Sequence, residues 1–156
     1  MSYYLGIDTS NYTTSLALYN CETKKIISKK KLLPVKPGEK GIRQSDAVFH
    51  HTVQLPELIT ELFDGNKYNI NSIGVSVKPC NEDKSYMPCF LAGVSVAVSL
   101  SEAMNIPLYK YSHQDGHIIA ALYSVQFSLV TQSCSTLCNP MNCSPSGSSA
   151  HGILQA

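Results

Sequence analysis

Two histidines, His113 and His117, are the residues whose spacing most directly indicates chemistry. On a helix, side chains four positions apart share one face, with Cβ atoms about 5–6 Å apart, which is close enough for two imidazoles to bind one metal ion. The same spacing also occurs in ordinary helices, where such histidines are only polar surface residues. Two imidazoles fill only part of a coordination shell, so a metal site here would need further ligands.

The residues around this pair predict a helix that would present it. Ser112 is a suitable N-cap, and Asp115 is an acidic first-turn residue that favours the helix dipole. The apolar residues 118–122 would bury the other face of the helix. A short strand is predicted just before it, at residues 106–111, so we expect the two histidines at the edge of a sheet.

A polar turn near the start of the chain is the second candidate site. Residues 3–7 are a short apolar stretch and residues 13–18 alternate in polarity, which together predict a β-hairpin. Its tip consists of the turn-forming residues Asp8, Thr9, Ser10 and Asn11. Asp8 can coordinate a metal ion, whereas Thr9, Ser10 and the turn amides can hold phosphate oxygens. An ordinary hairpin turn has the same composition, so this alternative is kept open.

The rest of the sequence predicts an α/β fold. Further strands are predicted at residues 25–33 and 73–77, and helices at residues 45–63 and 89–103. Ser45 is the expected N-cap of the first helix, and Pro56 is expected to kink that helix or divide it in two. The order βββαβαβα predicts a mixed five-stranded sheet covered by helices, with an antiparallel hairpin start joined to parallel crossovers.

Composition restricts the class of protein. The chain has 156 residues, of which 44% are hydrophobic, enough for one modest domain with its own core. A net charge of +1 gives no broad basic surface, so charge offers no argument for nucleic-acid binding. No apolar stretch is long enough to span a membrane and no cleavable signal is recognisable, so the expected location is the cytoplasm, without membrane contact.

Two stretches of the sequence carry a resemblance to a known family. The motifs LGIDTSNYTTSLALY, at residues 5–19, and IPLYKYSHQDGHIIAAL, at residues 106–122, resemble the tRNA N6-adenosine threonylcarbamoyltransferase family, historically called glycoprotease or peptidase M22. The loop and helix at residues 78–104 resemble a bacterial M22-like paralogue group within it. The resemblance covers about residues 3–123, which correspond to the N-terminal lobe of a two-lobed fold.

This resemblance implies a fold, ligands and an activity. The fold would be a single actin-like ATPase, or ribonuclease-H-like, lobe whose residues Asp8, Thr9, Ser10 and Asn11 lie near the phosphates of ATP or an adenylate. His113 and His117 would be two ligands of an iron or zinc ion. The family places a threonylcarbamoyl group on an adenosine of tRNA, and its remaining metal ligand and most nucleotide contacts come from the second lobe. We therefore expect a truncated homologue that is inactive alone and meets tRNA only through a complete complex.

Two other functions are compatible with the sequence. An isolated lobe can be a non-catalytic interaction module that pairs with itself or with a paralogue, because it would expose an apolar face. The historical name implies a metallopeptidase, but the residue after His113 is Gln114, where an HExxH helix carries its general-base glutamate.

The end of the chain differs in composition from the rest. Residues 124–156 are rich in serine, cysteine, proline and asparagine and look like the translation of a mammalian short interspersed repeat, so we divide the chain into a lobe at residues 1–123 and an unrelated tail. The tail is expected to be irregular, because it has few regularly spaced apolar residues. Cys134, Cys138 and Cys143 with His151 lack the CxxC pairs of structural zinc sites, which disfavours a zinc knuckle.

Overall fold

A computed structural model describes residues 1–35, 38, 41–82 and 84–135, of which residues 125–135 are described as backbone only. The elements follow one another in the predicted order βββαβαβα. They are β1 (Tyr3–Asp8), β2 (Thr13–Asn20), β3 (Ile26–Leu32), α1 (Gln44–Phe63), β4 (Ile70–Lys78), α2 (Phe90–Met104), β5 (Leu108–Ser112) and α3 (His113–Ser135).

The strands form one mixed five-stranded sheet in the order β3-β2-β1-β4-β5. β1 pairs antiparallel with β2, and β2 with β3, because short turns connect them. β4 pairs parallel with both β1 and β5, because the crossover connections through α1 and α2 return the chain to the same end of the sheet. The predicted α/β fold with an antiparallel start and parallel crossovers is confirmed.

The core lies between the sheet and helices α1 and α2, which contact each other. Alternate residues of the strands point towards these helices, as the period of a strand requires. The buried core side chains are Leu5, Ile7, Leu16, Leu18, Ile73 and Val75 from the strands and Leu55, Leu58, Leu62, Ala92 and Ala97 from the helices. Each large aliphatic side chain buried in this way contributes about 1.5–3 kcal/mol, and together they fix the sheet that carries the hairpin tip.

The structure bears on the predicted roles of Ser45 and Pro56 in helix α1. Pro56 lies inside one continuous helix and does not divide it. Its neighbours Leu55 and Leu58 are buried in the core, and this packing compensates for the single hydrogen bond that a proline removes. Ser45 is not the N-cap, because the helix begins at Gln44, and the Ser45 hydroxyl donates to the Asp46 carboxylate at 3.2 Å instead.

The chain divides into two compact units, residues 1–119 and residues 120–156. α3 continues to Ser135, so the tail predicted to be irregular from residue 124 begins as helix. The physical reason is that extending an existing helix costs far less than starting one, and no glycine or proline interrupts residues 117–135. Of the disfavoured zinc knuckle, Cys138, Cys143 and His151 lie outside the described residues. Among the helices that are described, none is long and apolar enough to cross a membrane.

Candidate metal-binding site

The predicted cap of α3 is present and is reciprocal. The backbone N–H of Asp115 donates to the Ser112 hydroxyl at 3.1 Å. In return, the Asp115 carboxylate accepts hydrogen bonds from the Ser112 backbone N–H at 3.2 Å and from its hydroxyl at 2.8 Å. This capping box satisfies donors that a helix start otherwise leaves unpaired, and it begins α3 directly at His113.

The two histidine rings converge as the spacing predicts. The Nε2 atoms of His113 and His117 lie 2.8 Å apart. The ring centroids are 4.3 Å apart, and the ring planes are nearly perpendicular at 89°. His113 is 32% exposed, and His117 is exposed, so an ion in solution can reach both Nε2 atoms.

Asp8 lies behind His113, at the end of β1. Its Oδ2 atom is 3.0 Å from Nδ1 of His113 and accepts the Ser10 hydroxyl at 2.9 Å. Its Oδ1 atom accepts the Ser10 backbone N–H at 3.1 Å and also the Ser76 hydroxyl. Because a carboxylate is an acceptor, Nδ1 of His113 carries the proton, and Nε2 of His113 keeps its lone pair towards His117. Asp8 therefore orients His113 and does not face the Nε2 atoms as a direct metal ligand would.

The donor set fits part of a metal site. Two imidazole nitrogens bound at ~2.1 Å to one tetrahedral ion lie about 3.4 Å apart, so a small ring rotation would adapt the observed pair. A carboxylate that accepts a hydrogen bond from the other nitrogen of a histidine ligand is the usual support of such a ligand. Within the described part of the chain, no group of three or more His, Cys, Asp or Glu side chains is arranged to hold a metal ion. His113 and His117 could therefore supply two ligands, and others must complete the shell.

The hairpin tip is tied to the start of α2 by Thr9. The buried Thr9 hydroxyl donates to the Cys89 carbonyl at 3.0 Å and accepts the Gly93 N–H at 3.2 Å. A Cβ atom at Gly93 would lie only 2.8 Å from Thr9 Oγ1, so this close approach requires glycine. The Thr9 hydroxyl thus joins two elements and does not face outward as a phosphate ligand would.

The other two tip residues are placed differently. Ser10 is half-buried and its hydroxyl is bound to Asp8, whereas Asn11 is exposed and has a left-handed backbone with φ of 48°. Asparagine tolerates that conformation better than most residues. Nucleotide binding at the tip stays a prediction, and it now concerns Ser10, Asn11 and the turn backbone.

Sequence reasoning missed the role of Ser76. Parallel pairing of β1 with β4 sets Ile7 opposite Val75, which brings the following residues Asp8 and Ser76 together on the other face of the sheet. Only the strand order could have revealed this contact, because the two residues lie 68 positions apart. Tyr111, on β5, also lies near Asp8: burial, and secondarily the charge of Asp8, raises the pKa of its phenol.

A buried polar cluster supports the hairpin from the side of α1. The Thr14 hydroxyl donates to Gln54 Oε1 at 2.6 Å, so it accepts from Nδ1 of His51 at 2.7 Å. His51 is fully buried, and its Nε2 atom has no satisfactory hydrogen bond. Burial lowers the pKa of His51, although the backbone carbonyl of Asn11 opposes this shift. His51 is therefore a neutral packing residue on the buried face of α1.

The sheet order, the crossover helices and a polar hairpin tip facing the start of α3 define the ribonuclease-H-like, or actin-like ATPase, class of fold. YeaZ from Pseudomonas aeruginosa has this fold with a TM-score of 0.53 at 19% identity, over 72% of this chain and 44% of that protein. No family model matches the chain.

Curated relatives identify the family. A tRNA N6-adenosine threonylcarbamoyltransferase from Campylobacter concisus is 34% identical over 116 residues, which cover 73% of this chain and 33% of the relative. A probable bifunctional tRNA threonylcarbamoyladenosine biosynthesis protein from Haloquadratum walsbyi is 24% identical over 94% of this chain and 26% of its own length. The chain belongs to the tRNA N6-adenosine threonylcarbamoyltransferase family. It spans about a quarter to a third of the length of the curated relatives that it matches.

Proposed function

We propose that this chain is the metal-holding lobe of a transferase that places a threonylcarbamoyl group on an adenosine of tRNA. The observation that carries the proposal is the convergence of the Nε2 atoms of His113 and His117, 2.8 Å apart, with Asp8 bound to Nδ1 of His113. The names of the relatives support the reaction, since three of them are threonylcarbamoyltransferases of tRNA.

The proposed roles of this chain's residues follow from their contacts. His113 and His117 would hold one iron or zinc ion through Nε2, which requires the proton of His117 to move from Nε2, where it donates to His113, to Nδ1. Asp8 holds His113 in the tautomer that leaves its Nε2 lone pair available. A divalent ion in this position supplies a Lewis acid that stabilises negative charge on a substrate oxygen. Ser10, Asn11 and the turn backbone would contact the phosphates of ATP or an adenylate.

We propose further that the lobe is inactive by itself. Its two imidazoles leave the other coordination positions to ligands outside the described residues, which in a complete transferase a second lobe would provide. Contact with tRNA would likewise need the complete complex.

The metal proposal is tested by measuring zinc and ferrous iron bound to the purified chain. We expect about one ion per chain, lost on changing either His113 or His117 to alanine, since removal of a ligand costs most of the affinity. His50→Ala is the matched control, because His50 lies on α1 away from the pair. A chain that binds no ion, or whose binding survives both substitutions, would contradict the proposal.

A second candidate function is an interaction module, and the helix surface supports it. Helices α1 and α2, which contact each other, leave several apolar residues exposed, among them Phe49 and Val53 on α1 and Leu91 and Val98 on α2. Phe49 and Val53 are four residues apart on α1, and Leu91 and Val98 are seven residues apart on α2, so each pair forms an apolar stripe on one face of its helix. Such stripes match the helix faces through which protein subunits pair.

Analytical ultracentrifugation of the metal-free chain measures whether it is a dimer, as an interaction module that pairs with itself would be, or a monomer. If these stripes pair two copies, the chain sediments as a dimer and Phe49→Lys makes it monomeric. Leu32→Lys is the control, because Leu32 is equally apolar and exposed but lies on the edge strand β3. A monomer at every concentration would remove the support for self-pairing.

A further inference from the structure

The loop between β4 and α2 is fastened to the first turn of α3. Nδ2 of Asn81 donates to the Asp115 carboxylate, lying 3.0 Å from Oδ1 and 2.9 Å from Oδ2. The backbone N–H of Gln114 donates to the Pro79 carbonyl at 3.0 Å. One loop thus contacts two successive residues of α3 between the two histidines.

Asp115 connects this loop to the cap of the helix. Its Oδ2 atom accepts from Asn81 and from both the backbone and the hydroxyl of Ser112. The carboxylate is therefore shared between the capping box and the loop. Losing Asn81 would leave the cap in place but free the helix start from the loop.

This connection matters because packing does little to hold α3 here. His117, Ile118 and Ile119 are all exposed, so burial does not fix the direction in which this part of the helix leaves β5. The position of the His113 ring relative to Asp8 then depends on the hydrogen bonds of the first turn.

We propose that Asn81 is a positioning residue for the histidine pair: it holds the first turn of α3 through Asp115, so that His113 meets Asp8 and His117 at once. The inference rests on the proposed function in one respect, since it takes metal binding as the property that the pair serves. A neutral amide is the required group, because a second carboxylate at this position would repel Asp115.

Zinc titration of three variants tests this role. Asn81→Asp and Asn81→Ala should each bind zinc roughly tenfold more weakly than wild type, as is usual when the support of a metal ligand is lost. The exchange variant Asn81→Asp/Asp115→Asn has the acceptor at position 81 and the donor at position 115, so the hydrogen bond can form again. It should bind zinc with an affinity close to that of wild type. Asn66→Ala is the matched control, because Asn66 is an exposed asparagine whose amide donates to the Asp64 carbonyl at 3.3 Å, in the turn that follows α1.

A measurement on the metal-free protein separates this proposal from the metal proposal. Nitrogen-15 NMR of the imidazoles should report the hydrogen bond between Nδ1 of His113 and the Asp8 carboxylate in wild type, its loss in Asn81→Asp and Asn81→Ala, and its return in the exchange variant. If wild type binds no zinc but this NMR pattern holds, the metal proposal fails and the role of Asn81 stands. Unchanged imidazole signals in both single variants, or no recovery on exchange, would overturn the role of Asn81.

Discussion

At the scale of single residues, Asp8 has the largest number of polar partners in the candidate site. Ser10, Ser76 and His113 all bind its carboxylate, which leaves little freedom for its orientation. A carboxylate with this many donors acts as a fixed acceptor, so any effect of Asp8 on the proposed metal binding would pass through the His113 ring.

Replacing Asp8 by asparagine should weaken zinc binding by about 10–100-fold, because the amide offers a weaker acceptor to Nδ1 of His113. Isothermal titration of zinc into wild type and Asp8→Asn measures the effect. Asp46→Asn is the control, since Asp46 lies in the first turn of α1. Equal affinity of wild type and Asp8→Asn would show that Asp8 does not support the ligand.

His51 should make the stability of the lobe depend on pH. Burial lowers its pKa in the folded chain, whereas the unfolded chain takes up the proton near the ordinary value of about 6.5. The unfolded state therefore binds more protons just below that pH, so the free energy of unfolding should fall as the pH drops below about 6.5 and be unaffected above it.

Urea unfolding of wild type and His51→Gln between acidic and neutral pH measures this effect. Glutamine can still donate to Thr14 but does not titrate, so the variant should lose the part of the pH dependence that His51 causes. Curves of identical slope for the two proteins would contradict the assignment.

At the scale of elements, the junction of the hairpin with α2 depends on one hydroxyl. Thr9 accepts from the Gly93 N–H and donates to the Cys89 carbonyl, both in the interior, and a Cβ atom at position 93 would lie only 2.8 Å from Thr9 Oγ1. The same contact fixes the backbone that carries Asp8 into the site.

Thr9→Val should lower the free energy of unfolding by about 1–3 kcal/mol, because it keeps the shape of the side chain but leaves a buried N–H and a buried carbonyl without this partner. Chemical denaturation measures the loss. Thr52→Val, at an exposed position of α1 where the hydroxyl bonds only to Val48 of its own helix, should change stability by no more than about 0.5 kcal/mol. Similar losses in both variants would refute the role of Thr9.

At the scale of the whole molecule, metal binding should stabilise the folded lobe. An ion that binds only the folded state at a concentration 100 times its Kd adds about 2.7 kcal/mol, which corresponds to a rise in Tm of roughly 10 °C for a domain of this size. Thermal unfolding with zinc and with a chelator measures the shift. His117→Ala should show none of it, and a shift retained in that variant would place the ion elsewhere.

The sequence by itself determined the features that depend on neighbouring residues. The order of the elements, the hairpin with its polar tip, the cap formed by Ser112 and Asp115 and the shared face of His113 and His117 all follow from local period and hydrogen bonding. Local rules also placed the N-cap of α1 at Ser45, whereas the helix begins at Gln44 after Arg43.

Only the tertiary structure decided how these features combine. The contact of Asp8 with His113 joins residues 105 positions apart, and the contact of Thr9 with Gly93 joins residues 84 positions apart. Both contacts depend on strand order and register. The contact of Asn81 with Asp115 joins residues 34 positions apart, because the loop between β4 and α2 lies against the first turn of α3. Such pairings leave no periodic trace in the sequence, so physical reasoning could predict the histidines as candidate ligands but could not find the residues that contact them.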